Sequence, residues 1–533
     1  MGQLEVESLT GRFGKIGGVV RRVLAAKSAR GVSFSLSVIA LSSKPLGYLR
    51  TLIVAWAFGT SAGMDAYHLA SSIVNFTAAS VASAMESAVL PELARLRKED
   101  GEGACESVFA VVAWLLIVFS ALFCAMLLIA PGVLIRLFAG GFDQERVRMG
   151  AVMLWWLIPF SVVLLLRSAL TTWALFTERF TLSAVTSMAF NLIAIPALLL
   201  LAPLVGVYAV AGSMSVGYVV TFALFLIGMR GAPLMVRRKN LRLHSLKRIG
   251  TGALFSVTLI SALGLFFIVD RYFASRLPVG SVAAISYASQ MISLISLLAV
   301  TPLSFFLART SGLVVENPEE ARCFVKRALS VAFALYLPIG LFVSAAARPI
   351  VSLTLGWGSF GEDSVAMTSL CVSAYAIGMI FSVSASVLHR YAQASQRLSV
   401  ITLLTFSLVA ANGILDWLLV TRWGLPGLAC ATSLVQTLSF FLYYKALMRD
   451  SSASFLREIC FLPQSVLASL CAAAAWMCGR FGSVAQLAAA GVLCAIYFLT
   501  AERMGLMRGV PEGWRPACLL RYVLYNAGFA RKN

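Results

Sequence analysis

Charge is scarce in this chain. Only 12% of its 533 residues are Asp, Glu, Lys or Arg, and acids are the rarer kind, 23 against 43 bases. Histidine is scarcer still, with three residues, His68, His244 and His389. None of them forms a triad-like or metal-ligand pattern with its neighbours. No Walker-type phosphate loop occurs, and no GxGxxG opens a helix after a strand, so an ATP-driven pump would need a separate motor subunit. The ten cysteines are scattered, mostly in apolar stretches and without CxxC spacing. They read as small apolar side chains, not as disulfides or ligands. These shortages leave no catalytic residue, metal or cofactor to nominate. The arm before Gly31 is basic but lacks a compact apolar core ending in a small-residue cleavage site, so no cleavable signal peptide is read.

What is abundant is apolar surface: 60% of the residues are hydrophobic. No soluble protein buries that much, so the solvent is lipid. A spanning helix needs about 20 apolar residues, and about fourteen such segments occur between residues 32 and 502. The runs are too long, and alternate too rarely, for barrel strands. The expectation is an all-α integral membrane protein. Its net charge of +20 is concentrated in the N-terminal arm, in "MRGAPLMVRRKNLRLHSLKR" after the sixth segment, and in the tail. That distribution reads as a positive-inside signal with both termini cytoplasmic, plus contact with anionic lipid, and not as nucleic-acid binding.

The chain also repeats itself. "APGVLIRLFAGGFDQERV" (130–147) resembles "ARPIVSLTLGWGSFGEDS" (347–364), "ERFTLSAVTSMAFNL" (178–192) resembles "SQRLSVITLLTFSLV" (395–409), and "VGVYAVAGS" (205–213) resembles "WGLPGLACA" (423–431). The offsets agree and the order is kept. Six segments per half is an even number, which makes the repeat parallel, about an axis along the membrane normal. The expected organisation is a basic arm (1–31), a six-helix bundle (32–230), a basic linker (231–248), a second six-helix bundle (249–449), two further transmembrane helices (450–502) and a basic tail (503–533). A cleft between two such bundles that rock is a usual substrate path. A duplicated scaffold without transport is the plainer alternative.

The informative residues are the charges inside the apolar segments. In "SKPLGYLRTLIVAWAFG" (43–59), Lys44 and Arg50 flank Pro45 and Gly47. A cation deep in a bilayer costs several kcal/mol unless it faces water or a partner. Pro45 invites a kink, as in the discontinuous helices of transport sites. Glu86 and Asp65 are candidate partners for Lys44, and Arg50 alternatively snorkels to the outer surface. Arg167 faces the same cavity or snorkels. Asn75 and Asn191 read first as interhelical hydrogen-bonders. Asp416 reads as a helix-end residue beside Arg422. Cations with few matching acids suit an anionic substrate such as a phosphate or pyrophosphate. A sideways-opening path suits a polar head on a lipid tail.

"LSSKPLGYLRTLIVAWAFGTSAGMDAYHLASSIVN" (41–75) resembles the opening of the MurJ/MviN family, the lipid II flippases of the MOP exporter superfamily. Ser43, Gly47, Arg50, Phe58-Gly59, Asp65-Ala66 and Asn75 match its motif, and "SYASQM" (286–291) and "ARPIVSLTLGWGSF" (347–360) look like later family segments. The resemblance implies fourteen helices in a six-plus-six-plus-two plan, location in the bacterial cytoplasmic membrane, and flipping of an undecaprenyl-pyrophosphate-linked peptidoglycan precursor to the periplasmic leaflet by alternating access. It implies cavity cations meeting the pyrophosphate, and cell-wall synthesis proteins as partners beside the membrane lipids.

The chain departs from the motif at definite places. Lys44 replaces an arginine, and Thr51 replaces the acid that follows Arg50. "FTAASVASAMES" (76–87) lacks the expected cation, and Gln290 stands in an arginine's place in the eighth helix. The candidate substrate-binding set is Lys44, Arg50, Asp65, Asn75, Glu86 and Arg167, with Asp65 gating or pairing with a cation near the outer mouth. Alternatives are a flippase for another lipid-linked oligosaccharide, of the O-antigen or exopolysaccharide type, and a non-transporting scaffold of cell-wall assembly.

Overall fold

The computed structural model describes residues 45–229, 243–296, 310, 312–314, 316–448 and 452–506. Among the described residues there are helices and no strands. In chain order these are α1 (Pro45–Phe58), α2 (Ala62–Val74), α3 (Ser80–Glu99), α4 (Glu102–Ile129), α5 (Pro131–Phe138), α6 (Gln144–Trp156), α7 (Ile158–Phe176), α8 (Phe180–Val205) and α9 (Ala209–Gly228). There follow α10 (Leu243–Ala274), α11 (Ser281–Ser296), α12 (Pro318–Ala345), α13 (Ala347–Leu355), α14 (Glu362–Ala394) and α15 (Leu398–Trp423). The last are α16 (Leu425–Leu447), α17 (Ser452–Glu458), α18 (Phe461–Met477) and α19 (Ser483–Arg503).

Eleven stretches among the described residues are long and apolar enough to cross a bilayer. One of them, Met188–Ile227, holds parts of two helices, α8 and α9, on either side of Gly206. α1 and α11 are apolar but shorter, and each adjoins undescribed residues. Large apolar side chains such as Leu122, Ile129, Leu204 and Leu403 stand outward on these helices. In water that would be a fault; in hydrocarbon it is the outer surface. The molecule is a multi-pass membrane protein. The basic arm at 1–31 lies outside the described residues, whereas part of the expected linker is helical. α10 begins at Leu243 and carries Lys247 and Arg248 in its first turns.

The repeat is visible in the backbone. Glu178 and Gln396, 218 residues apart, are both left-handed (φ 59° and 56°), each just before a long helix. Gly206 and Gly424, at the same separation, turn the chain with nearly the same angles (φ 59°, ψ −136° and φ 59°, ψ −133°). A left-handed non-glycine residue is uncommon, so its recurrence at one offset marks common design.

By packing, the described chain forms two compact units. The first comprises residues up to Arg50, Val74–Pro131 and Val152–Ile260; the second comprises Thr51–Ile73, Gly132–Ala151 and everything from Ser261. The first unit packs α3, α4, α7, α8 and α9 around ring contacts such as Phe109–Trp173 at 4.7 Å and Phe160–Tyr218 at 4.5 Å. In the second, Phe333 of α12 meets Phe440 at 5.1 Å and Phe461 at 5.5 Å. Each such pair is worth about 0.5–1.5 kcal/mol beyond area burial. α12 begins with a readable signal. Asn317 accepts from the Glu319 and Glu320 N–H groups, Pro318 opens the helix, and the two acids face its positive end. α12 approaches α14 closely at Gly340, where a Cβ would come within 2.6 Å of the Ala376 carbonyl oxygen. Small residues allow this where lipid supplies no hydrophobic drive between helices.

Candidate functional site

Lys44 lies outside the described residues. The other five candidates fall into the two units as follows.

In the first unit, Arg50 and Arg167 flank one pair of aromatic rings. The Arg50 guanidinium lies 5.4 Å from the centre of Phe190, and its Nη1 donates to the Met214 thioether. Phe190 meets Tyr218 edge to face at 4.7 Å. The Arg167 guanidinium lies 5.9 Å from the Tyr218 centre, and its Nη2 donates to Thr186 Oγ1 at 3.2 Å. Both arginines are half-buried. Among the described residues no carboxylate comes within ion-pair range of Arg50. Ring faces hold the cation by about 0.5–2 kcal/mol each without neutralising it.

Asn75 opens a single π turn, Asn75–Ala79, set between α2 and α3, and it is exposed. Such turns add one residue to the helix and occur often at functional positions. Glu86, on α3, is half-buried and joins no ion pair among the described residues. The π turn rotates everything after it relative to an unbroken helix, so the face carrying Glu86 is not the one its spacing from Asp65 implies.

Asp65 belongs to the second unit and is fully buried. Its Oδ2 accepts from the Gly280 N–H at 2.7 Å and its Oδ1 from the Ala283 N–H at 2.8 Å. It therefore caps α11 from a different helix. A carboxylate at a helix N-terminus satisfies orphan N–H groups and the positive end of the dipole together. Arg146, 8% exposed, stands 3.9 Å from Asp65 Oδ2. Arg146 is held in turn by Asp143, which accepts from its backbone N–H at 2.9 Å and its Nε at 3.2 Å. Those hydrogen bonds, the backbone one first, hold the Asp143 carboxyl below the usual carboxylate range.

Around this cap the ends of three helices are stapled. Tyr287 Oη donates to the Gly59 carbonyl at 3.1 Å, Ser359 N to the Trp56 carbonyl at 2.8 Å, and Thr60 and Ser364 share a 2.7 Å hydroxyl contact. Gly280 (φ 94°) is required here: a Cβ would stand 2.7 Å from the Thr60 carbonyl oxygen.

A second polar cluster joins α10, α15 and α16. Asp416 was expected at a helix end beside Arg422. Instead α15 runs on to Trp423, and Asp416 is fully buried on the same face as Ile401, Thr405, Leu408 and Asn412. Asn412 Nδ2 donates to Asp270 Oδ1 of α10 and to Asp416 Oδ2, both at 2.8 Å. Thr432 of α16 donates to Asp270 Oδ2 at 3.1 Å. Among the described residues, Asn412 Oδ1 and Asp416 Oδ1 are buried with no hydrogen-bond partner. Like charges this close repel each other, and Arg271 follows Asp270 directly in α10. Oxygen donors alone suit a proton or a hard metal cation. The sequence signal was there: Asn412 and Asp416 are four residues apart, on one helix face. The partner, Asp270, gives no such signal, because it stands beside Arg271 near the end of α10.

The family model for lipid II flippase MurJ matches residues 54–499. The chain belongs to the MurJ family. The lipid II flippase MurJ of Burkholderia cenocepacia is 27% identical over 65% of this chain and 69% of its own length. The probable lipid II flippase MurJ of Thermotoga maritima is 26% identical over 79% and 85%. Among solved structures, a lipid II flippase MurJ in an inward closed conformation matches with a TM-score of 0.74, 19% identity, and coverage of 88% of this chain and 99% of that one. An inward-facing multidrug resistance MATE family transporter of the MOP superfamily matches at 0.66 with 14% identity, over 77% and 96%. The MurJ fold and its location in the bacterial inner membrane follow.

Proposed function

We propose that this MurJ family member flips lipid II from the cytoplasmic to the periplasmic leaflet by alternating access. The family match along 54–499 carries the reading. Arg50 and Arg167, half-buried on aromatic faces, support it, because half-buried cations suit the pyrophosphate of a lipid-linked headgroup. On this reading Lys44 adds a third cation. Asn75 lines the path at its π turn, and Glu86 tunes the local field from α3. Asp65 gates, by making and breaking the cap on α11. Asp270 and Asp416 supply a step driven by a proton or cation, since occupancy by one positive charge changes the cost of holding the two acids together. Both termini are cytoplasmic, and cell-wall synthesis proteins are the expected partners.

The decisive experiment reconstitutes the full chain in proteoliposomes carrying labelled lipid II and follows leaflet exchange. Rescue of a flippase-depleted strain is the cellular counterpart. A protein that rescues nothing and moves no lipid II overturns the reading. One observation favours a second substrate: Gln290, and the uncharged stretch 76–85, leave fewer cations than the motif implies. Competition by another undecaprenyl-linked glycan, stronger than by lipid II, would select that reading.

A further inference from the structure

The cap on α11 has a second, unfinished contact. Asp65 Oδ2 accepts from the Gly280 N–H at 2.7 Å, while Arg146 Nη1 stands 3.9 Å from the same oxygen. Among the described residues, Nη1 is buried with no hydrogen-bond partner. A guanidinium N–H and a carboxylate oxygen that bond close to about 2.7–2.9 Å, so the cation waits about 1 Å outside bonding distance. A neutral backbone N–H holds the near place. What fixes Arg146 is not part of α11. Asp143 accepts from its Nε at 3.2 Å, and its guanidinium lies 4.7 Å from the centre of the Phe142 ring. The loop before it is tied to the end of α10, where Ser275 Oγ accepts from the Gly141 N–H at 3.1 Å. Asp65, in contrast, depends on α11 for both of its N–H donors. Once α11 leaves, a buried carboxylate without them is costly unless another partner takes it.

We propose that Arg146 is the catch for Asp65: when α11 leaves the cap, Nη1 closes on Oδ2 and pairs the carboxylate that α11 has released. Arg146 is a positioning residue, which acts through Asp65 and touches no substrate. The proposal rests on the reading that Asp65 gates. It gives Arg146 a sign opposite to that of a plain support. A residue that only steadies the cap keeps it closed. The catch makes opening easier, because its contact with Asp65 is tighter in the open state, and a contact shifts an equilibrium only by such a difference.

The test is hydrogen exchange by mass spectrometry on the full-length protein, followed at segment 277–285, where the cap protects the Gly280 and Ala283 amides. Exchange there reports how often the cap opens. Arg146→Met is expected to slow it about tenfold, the worth of one charge-assisted hydrogen bond, and Arg146→Lys to leave it within about threefold of wild type. In an Asp65→Asn background, Arg146→Met should change it by less than about twofold, because no carboxylate is left to catch. Faster or unchanged exchange in Arg146→Met overturns the proposal, and so does an equal slowing without the carboxylate. Should Arg146→Met fail to fold, Arg146→Gln takes its place, uncharged and shorter. If the wild-type segment exchanges as slowly as the middle of α11, the cap does not open and the gating reading fails. Opening in wild type with no slowing in Arg146→Met fails the catch alone. Wild type that flips no lipid II removes that substrate and leaves the exchange result standing.

Discussion

Arg50 meets lipid-depth conditions with a flat cation that can lie on a ring and still present N–H groups. A lysine ammonium is more strongly hydrated and has no plane to stack. Arg50→Ala is expected to cut flipping by about 10- to 100-fold, the worth of a charge-assisted hydrogen bond or two. Arg50→Lys should fall between wild type and alanine. Lys44→Arg should keep activity, because a lysine already stands in an arginine's place. Flipping is read beside membrane abundance and thermal midpoint, and wild-type transport in an abundant Arg50→Ala protein removes the headgroup role. Asp65 is a different kind of residue. Its two oxygens take two N–H groups of α11. Asp65→Ala should lower stability by about 2 kcal/mol, and Asp65→Asn by less, because one amide oxygen still accepts. An unchanged unfolding midpoint for the alanine variant would show that the cap contributes nothing.

Elements in this chain are set by a few local devices. The Asn317 cap and Pro318 start α12, and Asn317→Ala should cost about 1 kcal/mol in a chemical or thermal melt. The π turn at Asn75–Ala79 re-aims α3. On α15, the i, i+4 pair Asn412 and Asp416 faces Asp270 across to α10. Asp416→Asn removes one of two facing acids, so at neutral pH in cation-poor buffer it should melt no lower than wild type. Added Na⁺ should raise the wild-type midpoint, by linkage to a ligand that binds the folded state, and leave the variant nearly unmoved. Equal responses of the two proteins would show that no such charge binds there.

At the scale of the whole molecule, the basic segments decide orientation. Reporter fusions at Asn240 and at Asn533 are both expected to report the cytoplasm, since on the six-plus-six-plus-two plan the arginine- and lysine-rich segments follow an even number of spans. A periplasmic signal at either position breaks that topology. The two packed units do not follow the line of the sequence repeat: Thr51–Ile73 and Gly132–Ala151 pack with the later part of the chain. Ancestry leaves its mark in residue order and in recurring turns such as Gly206 and Gly424, whereas packing follows whichever side chains meet.

The sequence by itself determined the solvent, the helical class and the family, because each depends on composition or on residues close in order. Hydrocarbon demands long apolar helices, and "KPLGYLR" with "MDAYHLASSIVN" is a local pattern. It also singled out Arg50 and Asp65, since a charge inside an apolar run is conspicuous without coordinates. Their partners were decided only by tertiary structure. Asp65 caps a helix that begins 216 residues later, Asp270 meets Asn412 across 142 residues, and Thr51 finds Gln290 across 239. The physical reason is that a buried polar group must be satisfied by whatever lies beside it in space, and helix spacing predicts only neighbours on the same helix.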